Sequence, residues 1–376
     1  MNSYPLCWQN DSWQGGDQVP SDTQLILVFG SGAKLRNPAL GAALSALAPN
    51  AVIAGCSTAG EIAGDNVGDD GASALAIQFR STRVRAACRR VEQAERSAEI
   101  GAELAAELVG DDLTHVLILS DGLSVNGSAL ANGLRGGLPA DVSATGGLAG
   151  DGPDFNETTV VFGDRAESGL VVAVGLYGKD LEVKWGSAGG WDAFGPRRLV
   201  TRSKGNVLYE LDGKPALALY KTYLGDRAEG LPATGLLFPL ELLAENEDDP
   251  SLVRTILAVD EEAQSLTFAG DVPEGRYVRL MKSTIDNLVW GAEQAGEMIE
   301  SRATPEVVLL VSCVGRRLLL GQRVEEEVEA VLTELGRPAG AIGFYSYGEI
   351  GPGGLVHGCE LHNQTMTLTT LSESAA

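Results

Sequence analysis

The chain has 376 residues, 44% of them hydrophobic and 21% charged, a globular composition long enough for two or three ordinary domains or one large α/β body. Net charge is −23, with 28 basic against 51 acidic residues, which argues against a nucleic-acid partner or an anionic membrane surface. No apolar run approaches the ~20 residues needed to span a bilayer, and five scattered cysteines (7, 56, 88, 313, 359) with no CxxC exclude a disulfide framework or zinc ribbon.

Residues 1–22 read as an irregular polar arm whose two tryptophans pin it to the body. With no basic n-region and no apolar h-region, this start is not a secretory signal, so the expected location is the reducing cytoplasm. From Leu25 onward one pattern occurs three times: an apolar strand ending in small residues, a helix, then a second strand entering a glycine-rich turn with an acid. The copies are Leu25–Gly32, helix Pro38–Leu47 and Ala51–Ile62 with Glu61; His115–Gly122, helix Gly127–Gly136 and Val142–Asp151; Val307–Val314, helix Arg323–Leu335 and Ala341–Ile350 with Glu349. Units of this length suit parallel strand pairs with right-handed crossovers.

An alternating strand is expected after each unit, at Ala72–Phe79, Thr158–Phe162 and Leu361–Thr370. A hairpin pairing Thr158–Phe162 with Gly169–Leu176 is expected through the turn at 163–168. Ser97–Val109 and Thr284–Ser301 are the longest amphipathic helices, and a helix starts at Pro215, where proline suits the first turn. The fold class is α/β, a mixed-sheet layered sandwich built from repeated strand-helix-strand units in two domains. The expected division is an arm at 1–22, one domain at 23–212 and a second at 213–376.

Five separated motifs are familiar in this order: Gly55-Cys-Ser-Thr-Ala-Gly-Glu61-Ile, Tyr209-Glu-Leu-Asp-Gly-Lys-Pro215-Ala, Ser312-Cys-Val-Gly-Arg316, Gly343-Phe-Tyr-Ser-Tyr-Gly-Glu349-Ile and Leu361-His-Asn-Gln-Thr365. They resemble the FIST N-terminal and C-terminal domains over residues 23–370. The resemblance implies a sensory input module for a small ligand such as an amino acid. By family analogy its output is a separate partner, a histidine kinase or a cyclic-dinucleotide enzyme. Some relatives, the nitric-oxide-sensing NosP proteins, bind haem through a histidine near a Gly-Trp pair. The matching stretch, Gly186–Trp191, has no histidine, so no cofactor is expected; if haem binds, His362 is its ligand.

Strand-end loops of α/β sheets carry binding sites. The candidate ligand-binding residues are therefore Cys56, Ser57, Thr58, Glu61, Asp121, Cys313, Arg316, Tyr347 and Glu349. Each has a structural reading beside the functional one: Glu61 and Glu349 as turn or helix caps, Asp121 as an Asp-Gly turn residue, Tyr345 and Tyr347 as core, Cys56 and Cys313 as small buried hydrophobes. Arg316 and Glu349 could hold the two ends of a zwitterion, or pair with each other. His357, Cys359 and His362 do not make a metal site, because strand alternation sends His362 to the opposite face. Nucleophile-elbow, P-loop and dinucleotide templates are not met. The reading is a non-enzymatic sensor, with a haem-based nitric oxide sensor, or a small hydrolase or transferase using Cys56 or Ser57, as alternatives.

Overall fold

A computed structural model describes residues 1–244, 251–300, 303–352 and 358–374. The expected α/β fold is found, carried by four sheets. The three repeated units form the three parallel strand pairs: Leu25–Gly30 with Val52–Ser57, Leu113–Ser120 with Ser143–Leu148, and Val307–Cys313 with Gly340–Ser346. Each pair gains an antiparallel strand beside its first member: Ala72–Gln78, Leu170–Tyr177 and Met366–Glu373.

The register repeats as well as the topology. The fourth residue of each second strand is glycine: Gly55, Gly146 and Gly343. They lie opposite Val28, Ile118 and Leu310 on the parallel partner, and opposite Val161, Ile350 and Ile62 on the other side. A Cβ at any of the three would fall 1.8–2.0 Å from the partner's carbonyl oxygen, so only glycine permits this strand approach.

The hairpin that follows each second strand joins a neighbouring sheet. Glu61–Ala63, with Asn66–Gly68 on its outer edge, leaves the first unit and pairs with Gly340–Ser346 of the third. Val160–Phe162, with Arg165–Glu167 on its outer edge, leaves the second and pairs with Val52–Ser57 of the first. Gly348–Gly351, with Glu360–His362 on its outer edge, leaves the third and pairs with Ser143–Leu148 of the second. On the far edges Arg83–Arg90 extends the second sheet and Leu181–Ala188 the third. The corresponding place in the first sheet is filled by Asn2–Gln9, paired with Ala72–Gln78.

Three readings change accordingly. The first residues are a strand, with Trp8 and Trp13 buried edge-to-face at 5.3 Å, and the Trp13 indole donates to Leu40 O at 3.2 Å. Burial of Leu6 and Trp8 offsets this strand's ordering, which a count of polar residues hides. Val160–Phe162 pairs with Arg165–Glu167 rather than with 169–176, because Leu170–Tyr177 is claimed on both sides, by Arg83–Arg90 and Leu113–Ser120. The expected strand Leu361–Thr370 is two strands in different sheets, Glu360–His362 and Met366–Glu373.

Alternation divides each sheet into two faces. Leu25, Leu27 and Phe29 of the first sheet, Leu117 and Leu119 of the second, and Val307, Leu309 and Val311 of the third point into one shared core, where Phe29 stacks on Phe344 at 4.6 Å. The opposite faces of the second and third sheets pack under the helices Ser97–Leu108, Gly127–Gly137, Ile285–Glu297 and Val324–Glu334. Pro38–Leu47 covers the first. A fourth sheet, antiparallel and with its own core, is inserted between Leu181–Ala188 and Ile285–Glu297; it includes Asp192–Lys204, Val207–Leu211, Leu240–Leu242, Leu252–Arg254 and Tyr277–Lys282. The composition break expected near residue 212 falls inside this sheet, in the hairpin of Val207–Leu211 with Lys214–Pro215. The third unit packs with the first two in the three-sheet body.

Candidate functional site

The three strand-end turns do meet. Ala59 N donates to Tyr345 O and Tyr345 N to Gly60 O, both at 2.8 Å, while Gly150 N donates to Ser57 O at 2.9 Å and Tyr347 N to Leu148 O at 3.2 Å. The approach is close enough that a Cβ on Gly150 would touch Ala59 N at 2.8 Å, and one on Gly122 would strike Ala149 O at 1.9 Å. The tips thus bind one another.

Most of the predicted site residues are engaged in this junction or in its surroundings. Ser57 Oγ accepts from Thr159 N at 2.8 Å and Thr58 Oγ1 from Gly60 N at 3.1 Å. Asp121 accepts from the backbone N–H of Leu123, Ser124 and Gly169, at 2.9, 2.7 and 2.9 Å, as a turn aspartate does. The Tyr347 hydroxyl bonds Asp151, and its ring stacks on Phe155 at 4.2 Å. Cys56 lies in the shared core and Cys313 in the helix-covered one, and burial pushes both thiols up.

Arg316 and Glu349 do not clasp each other. The guanidinium, fully buried, sends Nε and Nη2 to Glu327 Oε2 at 3.0 and 2.6 Å, Nη2 to Leu288 O at 2.8 Å, and Nη1 to Gly189 O. The other carboxylate oxygen of Glu327 accepts from Ser312 Oγ at 3.0 Å and the Tyr345 hydroxyl at 2.6 Å. The unexpected partner comes from the acidic first turn of helix Val324–Glu334. Glu349 accepts instead from Ser346 Oγ at 2.6 Å and from Thr365 N and Oγ1 at 3.1 and 3.0 Å. Desolvation, opposed by these hydrogen bonds, pushes its carboxyl up to about 7. Glu61 accepts from Gly71 N at 2.7 Å, its other oxygen has no partner among the described residues, and burial raises it as well. Asp151 is not the third member of this set: the residue in register with Glu61 and Glu349 is Val160.

Open space lies elsewhere, where the third sheet, the loop after it and the inserted sheet come together. A cavity of about 300 Å³ is walled by Trp185, Trp191, Met281 and Met298, with Ser187, Ser251, Thr365 and His362 as polar groups. Its wall is tied down at several points. The Trp191 indole donates to Gln364 O at 2.8 Å, Ser187 Oγ bonds Thr367 Oγ1 at 2.9 Å, and Ser283 Oγ holds Gly190 O at 2.6 Å. Arg316 holds the neighbouring Gly189 O. His362 Nε2 lies 3.2 Å from Gly351 O, and desolvation keeps the imidazole below its ordinary value. Glu349 is bonded to Thr365, so a predicted acid does reach this cavity, at one remove. His357 lies outside the described residues.

Of the sequence candidates only His362 lines this space. The others that do so were missed because they come from six separate segments. One signal was present: two tryptophans spaced by six residues around Gly186–Gly190, at the end of the first domain.

The arrangement is that of an α/β protein with a small aromatic-walled cavity at a junction between sheets, a usual location for small-molecule sites. Comparison with known families makes this specific: a FIST N domain matches residues 24–214 and a FIST C domain residues 216–352, so the chain belongs to the FIST family of sensory and signalling domains. An uncharacterized protein of Methanocaldococcus jannaschii, MJ1623, is 25% identical over 211 residues; the match spans 52% of this chain and 40% of that protein. A crystal structure of cyanuric acid hydrolase from A. caulinodans aligns over 100% of this chain and 99% of its own, at a TM-score of 0.39 and 9% identity. Among the described residues no helix is long and apolar enough to cross a membrane.

Proposed function

We propose that this chain is a cytoplasmic, non-catalytic sensor that binds a small ligand in the Trp185–Trp191 cavity. The observation that carries this is the cavity's position and lining: about 300 Å³, two indoles and two thioethers against four polar side chains, between the three-sheet body and the inserted sheet. Indole faces receive apolar groups and ammonium cations alike. A ligand with an apolar body and an amine head, as in many amino acids, suits such walls, with Thr365 and Ser187 as hydrogen-bond partners. Occupancy would favour one placement of the inserted sheet against the body, to the extent that the ligand binds that placement more tightly. A separate protein, a histidine kinase or cyclic-dinucleotide enzyme, would read the difference.

Haem is the less favoured occupant of this space. His362 has the right chemistry, a neutral imidazole with one nitrogen at a backbone carbonyl, but about 300 Å³ is at the lower limit for drug-sized ligands and a tetrapyrrole is bulkier. A hydrolase built on Cys56 or Ser57 is disfavoured by the burial of both.

The test is a thermal-shift panel of amino acids, simple amines and haem, with tryptophan fluorescence as second readout. A ligand at a hundred times its Kd stabilises by about 2.7 kcal/mol. The expected result is stabilisation by one chemical class, lost in Met298→Ala, whose exposed side chain can be cut back without cost to the fold. A panel without any shift, or a shift indifferent to Met298→Ala and Thr365→Ala, refutes the reading. A Soret band lost in His362→Ala would replace it with the haem sensor.

A further inference from the structure

We infer a second binding site, for an organic carboxylate with an apolar tail, in the larger cavity of about 680 Å³ beside Ser283. Its charged lining is Arg227 and Lys282, with Leu237, Phe238 and Leu319 as apolar wall. In a chain of net charge −23 cations have acids in excess to pair with. Among the described residues, neither of these two makes an ion pair or a hydrogen bond. Each lies against an aromatic ring: the Arg227 guanidinium carbon 5.2 Å from the centre of Phe238, and Lys282 Nζ 5.7 Å from that of Phe194. The two rings meet edge-to-face at 6.4 Å, so a rigid aromatic pair carries both cations to one cavity. Asp192, opposite Lys282 in register, is engaged by the Asn287 amide at 2.7 Å.

Two such cations at a concave surface with low-dielectric walls focus positive potential where the rest of the molecule repels anions. A guanidinium fork suits a carboxylate in the bidentate manner, and the leucines and Phe238 take the tail. Inorganic phosphate has the charge but nothing for the apolar wall.

The site is tested by isothermal titration of the full chain with octanoate, phenylacetate, octylamine and inorganic phosphate, at low and high salt. Octanoate or phenylacetate should bind, more weakly at high salt, and octylamine should not. The double variant Arg227→Gln/Lys282→Gln should lose about tenfold or more in affinity, as expected for hydrogen bonds to charged groups. Both residues are exposed, so the variant should keep the parent's melting temperature. Met298→Ala should leave carboxylate binding unchanged, which separates this site from the tryptophan cavity. Undiminished binding in the double variant, or no binding of either carboxylate to the parent, overturns the site. Phosphate binding as tight as octanoate overturns the assignment of an apolar tail.

Discussion

Replacing Glu327 with alanine removes, among the described residues, the one carboxylate paired with a guanidinium that has no access to solvent. Four hydrogen bonds go with it, two from Arg316 and one each from Ser312 and Tyr345. A guanidinium cannot shed its proton to escape the cost. Breaking a buried pair from one side costs about 3–5 kcal/mol, and the unpartnered Ser312 and Tyr345 hydroxyls place this case toward the upper end. Arg316→Met should cost less, because the abandoned carboxylate keeps two hydroxyl donors and can take up a proton. The double variant Arg316→Met/Glu327→Leu should be more stable than Glu327→Ala, although Gly189 O and Leu288 O then lack their donor. Urea unfolding followed by tryptophan fluorescence and circular dichroism measures all three. If Glu327→Ala costs less than about 1 kcal/mol, the typical effect of an ordinary substitution, or is milder than Arg316→Met, the pair is not the anchor described here.

Three further outcomes are expected. With an ordinary value of 4.5 and a folded value of about 7, Glu349 binds its proton more tightly in the native state, so its contribution to stability declines as pH rises from about 4.5 to about 7; Glu349→Gln should flatten that part of the pH–stability curve and be relatively more stable at alkaline pH. His115 works in the opposite direction: buried between Ser143 Oγ and Thr145 Oγ1 at 2.8 and 2.9 Å, it is held down to about 3 by desolvation, so stability should fall as pH drops from 6.5 toward 3, and His115→Gln should lessen that fall. Gly55→Ala, Gly146→Ala and Gly343→Ala should each destabilise by more than the ~1 kcal/mol typical of a point substitution, measured by urea midpoint; an alanine accepted at any one of them would mean that the unit concerned does not share the close strand approach of the others.

The helices and parallel strands were legible because their signals are local. Asn37 and Asn126 cap helices that start at the next residue, as their side-chain hydrogen bonds to Ala39 N and Ala129 N show, and runs such as Val307–Val311 are buried on both faces. Strand partners were not legible where two sheets compete for one segment. Leu170–Tyr177 is an adequate hairpin partner for Val160–Phe162 by pattern alone, and only the second sheet's need for a third strand decides otherwise. Residues 361–370 were read as one strand because the crossing at Asn363–Thr365 is too short to interrupt the apolar count. At the site, the strand-end turns expected to converge do touch, but nothing local says whether converging loops leave a hollow or fill it. Gly150 and Gly122 let the backbones touch, and filling was the result. The cavity depends on segments far apart in the chain, which periodicity cannot join.

Because each unit lends its β-hairpin to the next in a closed cycle, none of the three has a complete sheet of its own. A fragment ending after Leu148 would carry the first sheet without its outer hairpin and hold Glu61–Gly68 with no edge to join. Bare edges of this kind invite pairing with other chains. Assembly therefore waits for contacts between early and late segments of the chain, a high contact order that slows folding, and the body should come apart as a whole rather than module by module, despite a sequence that reads as three separable repeats.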